Sequence, residues 1–305
     1  MLATHEGRVS VTAVIPAHNE QAYIARITRQ VLQDAWHGQI VLDEVILVDD
    51  ASTDGTGGIA ASLAQEDSRV RVITHAERSG KNAGMRSGMA ACRSDIIAFL
   101  DADVSLGPHC LTRTVRLLAN NPALAASSCL IEPLPARSLR ERAARFQTFF
   151  AGALRDYGHG PLLWRVYAVR ITAIKDLALP DNQYDDIYIP RWLRNHGYRL
   201  TVQRQGTAYV RSATGLRDFA KQYVRDAQAL RSLNCGLPSI HPTTPGFNRV
   251  AGIRSAARAA QREPLGFMLA ILWRIVIWTT PRWRWLPVVD LSRHDTSAST
   301  KDLGL

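Results

Sequence analysis

Three clusters of acidic and polar residues have the types and spacing to receive a metal-bound phosphate ligand: Pro16 to Glu20, Asp49-Asp50 and Asp101-Ala102-Asp103. Asp101 and Asp103 lie two residues apart, so on an extended segment both carboxylates face the same way and can share one divalent ion with phosphate oxygens. Carboxylates alone repel a diphosphate. A bridging Mn²⁺ or Mg²⁺ turns them into its receptor. Asp49 and Asp50 follow Val45 to Val48, a place from which a carboxylate can accept hydrogen bonds from a nucleobase N–H. The bland alternative for Asp101 and Asp103 is a pair of solvated loop carboxylates or a helix cap ahead of Pro108, and a bare D-x-D is common. Position gives the pair its weight, because it directly follows the apolar run Ile96 to Leu100.

The elements that must deliver these residues are legible as an alternation of short apolar runs and helical stretches, the pattern of an α/β domain with a mostly parallel sheet flanked by helices. Val9 to Ile15, Glu44 to Val48, Arg69 to Thr74 and Asp95 to Leu100 read as strands. Glu20 to Leu32, Asp54 to Gln65 and Asn82 to Cys92 read as helices, with Ser52, Thr53 or Asp54 able to cap the second. Right-handed crossovers set the strands side by side, so each cluster falls at a carboxyl end, where open α/β sheets bind ligands. Farther on, Pro108 to Ala119, Leu139 to Leu154, Ile187 to Asn195 and Leu216 to Leu233 are expected as helices. Trp164 to Val169, Tyr198 to Val202 and Thr207 to Val210 are expected as strands. A Pro- and Gly-bearing link, Gly236 to Gly246, marks a boundary.

The formal charge is +10, and its placement matters more than its size. Residues 1–200 hold 22 Lys/Arg against 21 Asp/Glu, whereas residues 201–305 hold 15 against 6. The apolar run Leu265 to Thr280 carries Arg274 near its middle and is shorter than the roughly 20 residues that cross a bilayer. Arg282-Trp283-Arg284-Trp285 follows it, and Arg interleaved with Trp suits a membrane interface. An interfacial helix is the sharper expectation, with packing on the domain and a membrane span as alternatives. Cys92, Cys110, Cys129 and Cys235 form no zinc or redox pair, and the N-terminus lacks a signal-like apolar run, so a cytoplasmic protein is expected, peripheral on the inner membrane face.

The motifs Val14-Ile15-Pro16-Ala17-His18-Asn19-Glu20, Val48 to Thr56, Gly80-Lys81-Asn82-Ala83-Gly84, Asp101-Ala102-Asp103 and Asp185-Asp186 stand in an order and spacing that resembles the family 2 glycosyltransferases with the GT-A fold. Val9 to Arg231 is the stretch covered. The resemblance implies that Pro16, Ala17, Asn19, Glu20 and Asp50 hold the base and ribose of a nucleotide-sugar donor, with Lys81 and Asn82 over the nucleotide. It further implies Asp101 and Ala102 at the ribose or metal and Asp103 as ligand of a divalent Mn²⁺ or Mg²⁺. Asp186, eleven residues before Gly197, falls on the family's catalytic base, which implies a single displacement with inversion. Asp185 stands where Glu is usual, and Tyr188 with Trp192 where many members have Asp and Arg, which concerns the acceptor side. Gln222 and Arg225 match the start of the processive Gln-x-x-Arg-Trp motif, but Asp226 replaces its Trp, so one sugar per acceptor is expected.

The implied organisation is a GT-A domain over residues 8–235, with a donor half at 8–105 and an acceptor half at 106–235. A linker and basic helical extension follow over 236–290, and a disordered tail over 291–305. A UDP-sugar is the expected donor and a hydroxyl, lipid-linked in one variant, the acceptor; an anionic membrane surface is a further expected partner and nucleic acid is not. Two other classes compete. Gly55-Thr56-Gly57-Gly58-Ile59-Ala60 fits G-x-G-x-x-A, but Asp49, Asp50 and Asp54 intervene between strand and glycines and would repel a bare pyrophosphate. A nucleotidyltransferase would want a Gly- and Arg-rich loop where Pro16 to Glu20 stands. The remaining alternative is an inactive module that binds a nucleotide sugar or an anionic membrane.

Overall fold

The computed structural model describes residues 8–156, 163, 165–181, 184–211 and 249–279. Its first third alternates strand and helix as the apolar pattern requires: β1 (Val9–Ala17), α1 (Ile24–Leu32), β2 (Ile40–Asp49), α2 (Thr56–Glu66), β3 (Val70–Thr74), α3 (Lys81–Ala91) and β4 (Ile96–Leu100). β5 (Ser105–Leu106), α4 (Cys110–Asn120), β6 (Leu124–Pro133), α5 (Leu139–Asp156), β7 (Val166–Arg170), α6 (Ile171–Ile174), α7 (Asp185–Asn195) and β8 (Arg199–Val210) follow. The last two described elements are α8 (Arg249–Arg262) and α9 (Pro264–Thr279).

One mixed sheet runs in the order β3-β2-β1-β4-β7-β6-β8-β5. β1 pairs in parallel with β2 and β4, and β2 with β3, while β7 turns antiparallel to both β4 and β6. Every residue of β4 is buried, as a central strand covered on both faces demands. Register aligns Ala17 with Asp49 and Val14 with Phe99, so β1, β2 and β4 end along one edge. Helix α3 lies tight on β1, because Gly84 and Gly88 turn no side chain toward it. A Cβ on Gly88 would sit 2.3 Å from Val14 Cγ1, and one on Gly84 3.1 Å from Pro16 Cβ. This close approach seats Lys81, the first residue of α3, at the same edge.

Several boundaries differ from the sequence reading, each for a local reason. β2 begins at Ile40, not Glu44, because Val9 to Val11 pair with Ile40 to Leu42 before a register shift that leaves Asp43 over. β6 was not foreseen: its Ala125, Ala126, Ser127 and Ser128 are small and show no alternation, yet all four are buried. The two strands expected near 198–210 are one, since the buried Gln203 side chain accepts from the Gln205 and Gly206 N–H groups and donates to the Gly206 carbonyl, meeting the polar groups of an irregular stretch. α1 and α2 start later than expected, at Ile24 and Thr56; Asp54 still serves the latter by accepting the Thr56 N–H.

The chain divides into two compact units, Met1–Ile131 with Leu162–Tyr209, and Glu132–Pro161 with Val210–Leu305. In the second, α5 packs on α8 and α9 around Phe146, Phe149 and Ala259. Glu263 is buried there and accepts from both Arg142 at 2.8 Å and Arg145 at 2.9 Å, which is how a charge between two helices is tolerated. Gly266 lets α9 meet the α5 backbone, since a Cβ would lie 2.1 Å from the Arg142 carbonyl oxygen. Among the described residues no helix is long and apolar enough to cross a membrane. The expected helix at Leu216 to Leu233, the link at 236–246, the Arg-Trp run at 282–285 and the tail lie outside the described residues.

Candidate active site

The edge formed by β1, β2 and β4 gathers the acidic clusters through the segments that leave these strands. After β1, Asn19 adopts a left-handed φ of 55°, a conformation Asn tolerates better than most residues. Its side-chain oxygen accepts the Thr53 N–H at 2.7 Å, and its own N–H donates to Ser52 Oγ. Glu20 N–H donates to Thr56 Oγ1. The loops after β1 and β2 are therefore tied together, with Pro16 and Ala17 at their root. His18 Nδ1 lies 2.8 Å from the Asp50 carbonyl oxygen in the same junction.

Asp50 is buried and fully engaged. Its Oδ1 lies 2.8 Å from His75 Nδ1 and accepts the Ser79 N–H at 2.8 Å, while Oδ2 accepts the Gly80 N–H at 2.7 Å. Burial pushes this carboxyl up, but the hydrogen bonds from His75, Ser79 and Gly80 outweigh it and hold it below the ordinary aspartate value. A carboxylate only accepts, so His75 carries its proton on Nδ1 and, in the neutral ring, accepts the Ser87 hydroxyl on Nε2 at 2.9 Å. Asp49 takes a local part, accepting the Ser52 N–H.

Beside this junction lies a second, denser cluster. Lys81 Nζ is 2.8 Å from Asp101 Oδ1 and donates to both oxygens of Asp185, at 3.0 and 3.1 Å. Tyr167, fully buried on β7, donates its hydroxyl to Asp185 Oδ2 at 3.0 Å. Arg165, just before β7, reaches Asp103 Oδ1 at 3.2 Å and Asp101 Oδ2 at 3.5 Å through a single nitrogen. Burial opposes charge on Lys81, and the carboxylates of Asp101, Asp185 and Asp186 overturn that, so its ammonium persists well above the ordinary lysine range. Burial, then Asp185, Asp101 and Asp186, push the Tyr167 hydroxyl up, so it stays a donor. The charge of Asp186 thus acts on the same two groups.

Among the described residues, four carboxylates here face two cations, Lys81 and Arg165. Such a site calls for a further cation, and an all-oxygen donor set suits a hard divalent one. Asp101 and Asp103 both reach one point, the Arg165 nitrogen. Among the described residues no three His, Cys, Asp or Glu side chains are arranged to hold a metal, so oxygens from a bound ligand would have to complete its shell.

Of the residues singled out from sequence, Lys81, Asp101, Asp103, Asp185 and Asp186 come together, with Ala102 buried between two of them. Asn82 points elsewhere: its amide donates to the Pro180 carbonyl at 2.6 Å and fixes the segment ahead of α7. Trp192 packs on the main core and stacks on His196, with ring centres 3.9 Å apart. Gln222, Arg225 and most of the 157–164 segment lie outside the described residues. Arg165, Tyr167 and His75 went unremarked in the sequence. Only His75, a polar ring directly after a strand, left a signal there.

The Glycosyl transferase family 2 model matches residues 12–177. A curated relative, undecaprenyl-phosphate 4-deoxy-4-formamido-L-arabinose transferase of Pseudomonas fluorescens, is 33% identical over 111 residues, covering 36% of this chain and 32% of that protein. The chain spans between 9% and 36% of the length of the curated relatives it matches. A mannosyltransferase from Pyrobaculum calidifontis, solved with GDP-Man and Mn²⁺, aligns with a TM-score of 0.59 at 20% identity, over 91% of this chain and 82% of that one. Glucosyl-3-phosphoglycerate synthase of Mycobacterium tuberculosis, solved with Mn²⁺, UDP and phosphoglyceric acid, aligns with a TM-score of 0.51 at 19% identity, over 75% and 80%. With more than half of its length matched by the family model, and with the sheet and motif order described above, the chain belongs to glycosyl transferase family 2 and has the GT-A fold.

Proposed function

We propose that this chain moves a sugar from a nucleotide diphosphate to an acceptor hydroxyl by one displacement that inverts the anomeric centre. The observation that carries the reading is the convergence of Asp101, Asp103, Asp185 and Asp186 with Lys81 and Arg165 beyond the carboxyl ends of the parallel strands. In it, Pro16, Ala17, Asn19, Glu20 and Asp50 form the cradle for base and ribose, and Lys81 and Asn82 order the segment over the nucleotide. A divalent ion, Mn²⁺ or Mg²⁺, held by Asp103 with Asp101 would neutralise charge on the departing diphosphate. Asp186 takes the proton of the acceptor hydroxyl as its oxygen attacks the anomeric carbon, and the bond to the diphosphate breaks with its electron pair on the phosphate oxygen. Asp185, committed to Lys81 and Tyr167, positions the start of α7 and leaves base chemistry to its neighbour.

A UDP-sugar is the donor of choice in this reading, and bound UDP and GDP-Man in proteins of like fold support a nucleoside diphosphate. With Mn²⁺ present, a panel of UDP-, GDP- and dTDP-sugars should give one base that raises the melting temperature and releases its nucleoside diphosphate. Binding without any release, in the presence of varied hydroxyl acceptors, would favour the inactive-module alternative. Silence across the panel would reject both.

A lipid-linked acceptor and a peripheral site on an anionic membrane belong to the same reading. On α9, Phe267 and Ala270 pack inward, whereas Leu265, Met268, Ile271 and Leu272 stay exposed, Met268 at 60%. Exposed Arg254 and Arg258 on α8 add the charge that anionic head groups attract. Introducing Met268→Glu with Leu272→Glu should sharply reduce co-sedimentation with phosphatidylglycerol-containing vesicles. Pelleting equal to that of the parent chain would sink the membrane part alone.

A further inference from the structure

The geometry points to Arg165 as a built-in counter-cation for Asp101 and Asp103 that makes divalent-metal binding depend on the nucleotide diphosphate. The inference rests on the donor-site reading above and deepens it. Three features of the backbone and side chain set it up. Arg165 has a φ of 56°, in the left-handed region that a residue of its type rarely adopts and that persists where surrounding structure enforces it. Its carbonyl accepts the Asp101 N–H at 2.9 Å, so the backbone is pinned to the first residue of the D-x-D. From that anchor one side-chain nitrogen meets carboxylate oxygens of both Asp101 and Asp103.

A metal ion shared by these carboxylates would lie about 2.0 to 2.6 Å from their oxygens. The Arg165 nitrogen already stands at their common focus, at 3.2 and 3.5 Å. Metal and guanidinium cannot both fill it. Displacing the guanidinium takes a charge that is only 16% exposed away from both carboxylates, which is costly. A diphosphate removes that cost twice over. Its oxygens can take the planar guanidinium in a paired hydrogen bond, and they supply ligands that two carboxylates cannot. Metal and nucleotide therefore bind with positive coupling, and each tightens the other by the same factor. Lys81 does not play this role, because its three close contacts already span Asp101 and Asp185.

The test is a Mn²⁺ titration of the full chain, followed by the electron paramagnetic resonance of free Mn²⁺, with and without UDP or GDP. For the parent chain, Mn²⁺ alone should bind weakly and the nucleotide should tighten it at least about fivefold, which is the lower end of ordinary coupling. In Arg165→Gln, Mn²⁺ alone should bind more tightly than to the parent chain, and the tightening by nucleotide should shrink to the part that the added diphosphate ligands supply. Arg165→Lys, which keeps the charge, should restore most of the coupling and controls for folding. Unchanged nucleotide-free Mn²⁺ affinity in Arg165→Gln, against a parent chain that binds Mn²⁺ with nucleotide, would overturn the role of Arg165 and leave the donor site standing. Absence of Mn²⁺ binding in every form and condition would overturn the metal site and this role together.

Discussion

Replacing Asp186 by Asn lowers sugar transfer by about 10²- to 10⁴-fold, the range a general base contributes, and leaves Mn²⁺-dependent nucleotide affinity unchanged. The amide has the shape of the carboxylate but cannot take a proton. Its neighbour Asp185 cannot stand in, because both of its oxygens are held by Lys81 and one also by Tyr167. Single-turnover rates with saturating donor, set beside calorimetric titration of the nucleotide, separate the two quantities. A parallel fall in nucleotide affinity would assign Asp186 to donor binding and remove it as the base.

Replacing Asp103 by Ala has the opposite signature. Nucleotide binding should lose its dependence on Mn²⁺, and transfer should become barely measurable. Loss of a residue that merely supports a metal ligand costs about 10- to 100-fold in affinity, so loss of the ligand itself should exceed that. The variant also leaves Arg165 with Asp101 as its remaining partner of the pair, which strengthens that contact and excludes the metal further. Titration of Mn²⁺ in the presence of UDP reads the effect directly. Parent-like affinity would place the metal elsewhere.

The contrast between these variants separates what was legible in the sequence from what was not. Ile96 to Leu100 is apolar without interruption and ends in Asp101, so both strand and site can be read from one stretch. Asp50 announces itself in the same way after β2. Lys81 was expected from the family resemblance to lie over a nucleotide, but not to partner Asp101 and Asp185, because that pairing needs α3, β4 and α7 to meet. Arg165 and Tyr167 escaped entirely. Nothing in Trp164-Arg165-Val166-Tyr167 distinguishes an arginine that meets a carboxylate pair from one in solvent, since the contact needs β7 to pair with β4. β6 was invisible for another reason: Ala and Ser have no preference for the extended state, and only their burial between β7 and β8 makes them a strand.

The Lys81 bridge joins residues 104 apart in the chain. Closing so long a loop costs chain entropy before any contact repays it, and that cost falls on folding rate more than on final stability. β1, β2 and β3 pair with strands close to them in the chain, whereas the carboxylate cluster waits for α7 to arrive. During synthesis from the N-terminus, Asp101 and Lys81 emerge long before Asp185 and Asp186. The strands and helices from β1 to β4 can thus take shape on the growing chain while Asp185 and Asp186, which complete the carboxylate cluster, are still unmade.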